Sequence, residues 1–363
     1  MRIGLDVISG SVVVSGVAVI AAVSPVPSAW IEKLYSLNVY PSLQNIVTPV
    51  SGLFPFALLD VLLIGGTIAF SVWSWRQVKK RKQRGEPLLL SLGRQVLVSC
   101  GLLAVGYLCF LGVWGLNYRR VPMALKLDYQ PSAISHTALI DLADTAVSEL
   151  NQLYVFAEES SWPSLEGLPS SLGEPFAGVQ KRLGAETLAV PGIPKRTLLS
   201  SYFRWAGIDG MMNPFFLEVL INPSILPYER PFVVAHEWAH LGGYANEAEA
   251  NFVGWLICLA GDDQARYSGW LFLTRHLVIR GSTEVKTLIW NGLNEGPLRH
   301  FHAISDRASD SNPIVSFSAR RVYDRFLRIN QVSGGIASYG QVIDLVLGTR
   351  SEGLWHRFMS ERD

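Results

Sequence analysis

Residues 236–251 read His-Glu-Trp-Ala-His-Leu-Gly-Gly-Tyr-Ala-Asn-Glu-Ala-Glu-Ala-Asn. The first five carry two imidazoles four positions apart, with a carboxylate beside the first. On a helix those imidazoles share a face, so His236 and His240 can reach one ion at about 2.0–2.1 Å, the length of a zinc–nitrogen bond. Glu237 is then a neighbour of the ion and not a ligand. A carboxylate there can take a proton from a metal-bound water whose pKa the ion lowers towards about 7, and later deliver it to a leaving amine. That is the chemistry of the His-Glu-x-x-His pattern. The same five residues also suit an amphipathic helix whose histidines are hydrogen-bonded in a core, and the flanking residues decide between the two.

Pro231 can open the helix in its first turn, and Gly242-Gly243 can close it in a left-handed turn. Asn246 can cap a second helix, with Glu249 reaching back in a capping box. Glu247 shares a face with Ala250, Asn251 and Gly254, whose small size lets the two helices approach. Glu247 is therefore the third protein ligand, and the fourth position is left to water, the open geometry of a catalytic zinc. Glu249 projects about 200° away and cannot face the same ion. Asn251 could hydrogen-bond the free nitrogen of a ligand histidine.

These residues resemble the glutamate-zinc metallopeptidases, in which His-Glu-x-x-His is followed by a helix bearing Glu-x-x-Ala-Asp or Asn-Glu-x-x-x-Asp. Here the match is Asn246-Glu247-Ala-Glu-Ala250-Asn251, with asparagine in place of the aspartate and only six residues between His240 and Glu247. The short gap also makes the run through Gly243 similar to the metzincin pattern, whose third ligand would fall on Asn246, a poorer zinc ligand than a carboxylate. Over most of its length the chain looks like an uncharacterised bacterial family of predicted membrane-bound zinc peptidases. Gly207-Ile-x-Gly210, Pro214-Phe215, Glu218 through Asn222 and Ser338-Tyr339-Gly340 extend that likeness. The resemblance implies a zinc-dependent peptidase, with Zn2+ on His236, His240 and Glu247, water activated by Glu237, and a peptide or protein as substrate. A metalloprotein with a binding or sensory role and no turnover is the alternative, against which the intact Glu237 argues, since a structural site needs no base.

With 363 residues, 17% of them charged, and a mean hydropathy of +0.25, the chain is too apolar for an ordinary soluble enzyme. Three apolar runs, Ile3 to Val23, Phe54 to Trp73 and Val96 to Trp114, each approach the ~20 residues that span a bilayer. The first is read as an uncleaved anchor, although Arg2, Ala21 and Ala22 also suit a cleaved signal peptide. Asp60, in the first third of the second run, reads as an interfacial carboxylate, and Trp73, Trp75 and Tyr118 as interfacial aromatics. Arg76, Lys79, Lys80, Arg81, Lys82, Arg84 and Arg94 mark the loop between the second and third runs as cytoplasmic. An odd number of spans then puts the rest of the chain outside the cytoplasmic membrane. Lipid head groups account for those charges, so nucleic acid is not an expected partner. Proteolysis within the bilayer does not fit a motif flanked by Glu229, Arg230, Glu247 and Glu249. Cys100, Cys109 and Cys258 have neither metal-ligand spacing nor the pattern of a disulfide framework.

The expected organisation is a membrane anchor over 1–120 with three helices, and an extracytoplasmic domain over 121–363. The fold class is mainly α, a mostly helical zincin-like domain with a small β element. Apolar spacing predicts helices over 140–154, 176–188, 264–279, 283–293, 318–330 and 336–347. Phe215 to Ile221 reads as a strand, either an edge that holds extended peptide by backbone hydrogen bonds, as in the resembled peptidases, or a buried strand without that role. His300, His302, Tyr323 and Tyr339 are available to stabilise an oxyanion, but core packing suits each as well and none is assigned. The orientation can be checked directly. An alkaline phosphatase fused after Asp363 should be active and one fused near Lys82 inactive, and the reverse would overturn it.

Overall fold

The computed structural model describes residues 2–330 and 341–349. Ser338-Tyr339-Gly340 and the start of the helix expected over 336–347 lie outside them. The chain begins with α1 (Arg2–Val23), then α2 (Ser28–Trp30), π-helical turns over Ile31–Val39 and α3 (Tyr40–Gly52). Next come α4 (Leu58–Arg84) and α5 (Leu88–Val113), followed by α6 (His136–Glu158) and α7 (Leu168–Arg182). β1 (Pro194–Lys195), α8 (Ser200–Ala206), β2 (Gly210–Asn213) and β3 (Glu218–Ile221) precede α9 (Arg230–Leu241) and α10 (Glu247–Leu259). The remainder is α11 (Asp263–Arg280), α12 (Thr283–Gly292), α13 (Glu295–Ser309), α14 (Pro313–Ile329) and α15 (Val342–Gly348). The protein is thus mainly helical with a small mixed sheet, as the sequence implies.

α4 and α5 are long and apolar enough to cross a membrane, and α1 with the helices after it forms a third candidate, bent by 105°. α1 lies along α5 at a small-residue crossing. A Cβ on Gly101 would stand 2.7 Å from the Ser11 Cβ, so glycine is what lets the two backbones meet there.

α9 and α10 form the centre of the remaining helices, with α7 and α11 packed on them and α6 on α11. Trp238, Trp255 and Trp270 are among the largest fully buried side chains, one from each of α9, α10 and α11. Ser135 caps α6 and Asp262 caps α11, each through the side-chain oxygen onto the backbone N–H three residues on. α6, α11 and α12 lie where the apolar spacing predicts them, while α7 and α14 start earlier than predicted. α13 has no counterpart in the prediction, because Gly296-Pro297 reads as a break although proline is tolerated in a first helical turn. α3 is equally hidden, since its buried positions are Tyr40, Pro41, Gln44, Thr48 and Ser51 and not aliphatic residues.

The sheet has the order β1-β3-β2, with β1 parallel and β2 antiparallel to β3. The strand anticipated over 215–221 is therefore shorter and central. Its four residues are buried and pair with β2, and Val219 and Leu220 pair with β1 as well, so it lies inside the sheet. Leu217, in the connection before it, takes a left-handed φ of 46° and ends the strand there. The edge on the α9 side is β2.

Contacts cross the boundary anticipated at residue 120. In α3, Gln44 Nε2 donates to the Val190 carbonyl at 2.8 Å, and Thr48 Oγ1 to that of Leu217 at 2.9 Å. Arg119 donates to the carbonyls of Ala21 and Ala22 at the end of α1. Asp60 is no loose interfacial group, because it accepts from Thr197 Oγ1 at 2.6 Å and from the Leu198 N–H at 2.9 Å. Glu218 reaches from β3 to the start of α4 and accepts from the Leu58 and Leu59 N–H groups at 3.0 and 2.9 Å, where a helix dipole favours negative charge. It also accepts from Asn213 Nδ2 at 2.9 Å and from Lys195 Nζ at 3.1 Å, and it is wholly buried. Removing one partner of a buried charge pair costs about 3–5 kcal/mol. Lys195→Met should lower the thermal stability of the detergent-solubilised chain by about that much, and an unchanged melting temperature would mean that the pair does not hold α4 to the sheet.

Candidate metal centre

α9 and α10 together build the cluster that the sequence suggests. His236 Nε2 and His240 Nε2 lie 3.4 and 3.6 Å from Glu247 Oε2, and the ligand atoms of the three residues all fall within 4.8 Å of one another. Among the described residues this is the group of His, Cys, Asp and Glu side chains that could hold a metal ion. The two imidazoles stand edge to face, with ring centroids 4.7 Å apart. Glu247 Oε2 is buried and has no hydrogen-bond donor, so the oxygen turned to both histidines is open to a cation. His240 Nδ1 donates to the Tyr244 carbonyl at 2.8 Å, the tautomer that leaves the Nε2 lone pair for a metal.

The geometry follows from local chemistry. Pro231 lies in the first turn of α9, and Gly243 turns the chain with a φ of 81°, as anticipated. Asn246 caps α10 by accepting from the Ala248 and Glu249 N–H groups, which puts Glu247 at the first helical position. Gly254 is required by the crossing, because a Cβ there would lie 3.0 Å from the backbone N and Cα of His236. Glu249 departs from its expected role in the cap. Its buried carboxylate accepts instead from the Met123 N–H at 2.6 Å, on the chain just after α5. Asn251 lies on the cavity at the cluster, but neither its Nδ2 nor His236 Nδ1 has a hydrogen-bond partner, so the anticipated bond to a ligand histidine is not made.

Burial raises the pKa of the Glu247 carboxyl, but His240 and His236 beside it outweigh that and hold the group well below the usual carboxylate range. Burial likewise opposes protonation of His240, yet Glu247 and Glu237 raise its pKa to about 9. A metal ion on these side chains would compete with protonation of His240. Burial raises the Glu237 pKa despite the nearby His236 and His240 charges. Its Oε2 is buried with no hydrogen-bond partner, and it belongs to no part of the ligand triangle.

Of the four candidates for an oxyanion donor, Tyr323 is at the cluster. From α14 its hydroxyl donates to Glu247 Oε1, the oxygen turned away from the histidines. His300 is instead stacked on Tyr228 with ring centroids 3.6 Å apart, and its Nδ1 lies 2.8 Å from the Tyr267 hydroxyl. Burial depresses its pKa to about 4, which keeps the ring neutral there. His302 is exposed on α13, and Tyr339 lies outside the described residues.

Three groups that motif spacing does not reveal hold the turn between the metal helices. Trp114 Nε1 donates to the His240 carbonyl at 3.0 Å, the Tyr40 hydroxyl to that of Leu241 at 2.7 Å, and Arg120 to that of Gly243 at 2.9 Å. Their signal in the sequence is only that large polar or aromatic residues follow membrane-length runs. A cavity of about 320 Å³ opens beside the cluster, lined by Gly210 of β2, His236, Glu237, Phe232 and residues of α11 including Phe272 and Arg275.

A family model described as a protein of unknown function, DUF3810, matches residues 35–347. The chain belongs to that family. The match includes α3, both long apolar helices and every residue of the cluster, so the membrane-proximal parts and the metal site fall within one family unit. No curated protein and no solved structure matches the chain.

Metal binding separates the roles of these side chains. Glu247→Ala should lose the ion. Tyr323→Phe, which removes a group orienting a ligand, should weaken affinity by about 10–100-fold in competition with a chelator. Glu249→Ala should keep the metal while costing about 1–3 kcal/mol for the stranded Met123 N–H. Metal loss in Glu249→Ala with retention in Glu247→Ala would reverse the assignment.

Proposed function

We propose that this member of DUF3810 is a membrane-anchored zinc-dependent metallopeptidase that hydrolyses peptide bonds of a peptide or protein outside the cytoplasmic membrane. The observation that carries the reading is Glu237, a buried carboxylate with an unpartnered oxygen, set beside a compact His236, His240 and Glu247 cluster without joining it. A purely structural metal site has no use for such a group. Three protein ligands also leave a tetrahedral ion one open position, which distinguishes catalytic zinc from a closed structural site.

The three ligands would hold zinc, which supplies the Lewis acidity that lowers the pKa of water and polarises a carbonyl. Glu237 takes the proton from the attacking water and passes it to the departing amine. Burial raises its pKa, the direction that makes a carboxylate a stronger base. Beside it runs the edge of β2. Alternation in the β2–β3 ladder turns the backbone of Gly210 and Met212 outward, because Asp209, at the next position, accepts from the Asn222 N–H on the β3 side. An extended peptide could pair with the rest of that edge by strand addition, since the Met212 N–H is already directed at the Glu237 carboxylate. One of its side chains would enter the cavity walled by Phe232 and Phe272, which stack with centroids 3.6 Å apart.

The orientation supports an extracytoplasmic substrate. The ends of α4 and α5 that touch the cluster-bearing part are Leu58 to Asp60 and Trp114 onward, and the end of α1 at Ala21-Ala22 joins Arg119 on the same side. The basic residues from Arg76 to Arg84 are at the other end of α4, and basic loops stay in the cytoplasm.

Glu237→Gln should keep its zinc and lose at least about 100-fold in peptide cleavage, the usual share of a general base. Gly210→Ala should show the same separation more mildly, because its Cβ would lie 2.7 Å from Glu237 Oε1. Peptides released by wild-type and Glu237→Gln membranes would be compared by mass spectrometry, with zinc content measured on both proteins. Undiminished cleavage by Glu237→Gln would refute the role, and zinc binding without cleavage by the wild type would favour a binding or sensory protein.

A further inference from the structure

α14 touches both the candidate metal cluster and α5 through its own side chains. Tyr323 bonds Glu247, and Phe326 packs on Phe110 of α5 and on Tyr118, with ring centroids 5.6 and 5.9 Å apart. Phe110 lies three residues inside the end of α5 at Val113, or about 4.5 Å down the spanning helix. α14 therefore lies at the depth where the bilayer meets water.

Its outward face is not that of an ordinary surface helix. Ile314, Phe317, Val322 and Ile329 are 77, 59, 70 and 61% exposed. Among them stand Arg321, Arg325 and Arg328, also exposed. The helix carries four arginines against one aspartate. Phe317 and Arg321 pack on each other, with the guanidinium 5.1 Å from the ring centroid.

The face continues onto α8. The Asn312 N–H at the start of α14 donates to the Trp205 carbonyl at 3.0 Å. Phe203 is buried against Ala57 at the entry to α4, leaving Leu198, Tyr202 and Trp205 exposed beside that spanning helix. Exposed indole and phenol rings next to a span suit the head-group layer. Scattered apolar residues need no partner, but a continuous set of them interleaved with arginines does.

We propose that α14 and α8 form a second, non-spanning membrane contact, an interfacial surface that sinks its apolar side chains to the acyl boundary of the adjoining leaflet and binds anionic phospholipid head groups through Arg321, Arg325 and Arg328. Charge complementarity and continuity with α4 and α5 select lipid as the occupant. Arginine stems lie along apolar surface while the guanidinium stays with the phosphates. The same helix holds Tyr323 on Glu247, so lipid contact steadies the hydroxyl that orients a metal ligand. The proposal does not depend on hydrolysis.

The test uses the full chain with Cys100 and Cys109 replaced by serine, reconstituted in vesicles of mixed phosphatidylcholine and phosphatidylglycerol. Nitroxide labels go at positions 314, 317 and 322, with the solvent-facing position 295 as reference, and collision rates with oxygen and a water-soluble nickel chelate are read by electron paramagnetic resonance. The three labels should favour oxygen and be several-fold less accessible to nickel than the reference. Replacing Arg321, Arg325 and Arg328 with glutamine, or omitting phosphatidylglycerol, should move them outward. Labels as accessible to nickel as position 295 would overturn the contact. Dipolar broadening between labels with no preference for oxygen would assign the face to a second copy of the chain, and unchanged depth in the glutamine variant would overturn anionic lipid recognition. None of these readouts involves peptide cleavage.

Discussion

The metal cluster depends on one close crossing of two helices. Glu247 can meet His236 and His240 only if α10 runs almost against the backbone of α9, and Gly254 is where the two touch. The six residues between His240 and Glu247 leave no room for a longer excursion. They must end one helix, reverse and start the next, while the last carbonyls of α9 lose their helical partners. A buried carbonyl without a donor costs about 1–3 kcal/mol. Trp114, Tyr40 and Arg120 supply donors to His240, Leu241 and Gly243, and Asn246 satisfies the first N–H groups of α10. The tight turn is stable because chain from elsewhere completes its hydrogen bonding.

All three of those donors come from membrane-proximal segments, so anchor and metal site are one construction. Arg120 also joins Glu32 by two hydrogen bonds at 2.9 and 2.8 Å, and Lys126 meets the same carboxylate at 2.9 Å. The stretch after α5 is thereby fixed to the helical turns before α3 as well as to the metal turn. Glu249 takes the Met123 N–H and completes the enclosure. On the opposite flank, Glu218 and Asp60 bind the start of α4 to the sheet and to the loop before α8. The helices long and apolar enough to cross a membrane thus also serve as walls and hydrogen-bond partners of the part of the chain that bears the cluster.

What the sequence makes legible follows from how local each feature is. The positions of His236, Glu237, His240 and Glu247 are set by helical spacing, a left-handed glycine and an asparagine cap, all readable within 16 residues. The long apolar helices are legible because lipid demands an uninterrupted run. By contrast, α3 is invisible to apolar periodicity since its buried face is made of Gln44, Thr48 and Ser51, whose partners are carbonyls more than a hundred residues away or within its own turn. Of the two readings of residues 215–221 the buried strand is the one found, and the actual edge goes unseen for a related reason. β3 is the more apolar and so stands out, while β2, with Gly210 and two methionines, owes its position to pairing with β3 and to the close approach of Glu237 to Gly210. Glu249 shows the limit of capping rules, for a carboxylate placed for a local bond is taken by a backbone N–H from a distant segment.

The cluster is costly to a fold that does not use it. Glu247, His240 and Glu237 are ionisable groups almost entirely removed from water, and Glu247 Oε2, Glu237 Oε2 and His236 Nδ1 have no hydrogen-bond partners. Buried ionic groups of this kind are often less stabilising than apolar side chains of similar volume. Where such groups do contribute, as with Glu218 and Lys195, each acceptor is met by donors. The contrast between two buried carboxylates in one protein is informative: Glu218 is saturated and structural, whereas Glu247 keeps one oxygen fixed by Tyr323 and the other open towards two imidazole nitrogens. A divalent cation would remove that imbalance at the triangle, while Glu237 lies outside it with one oxygen unpartnered.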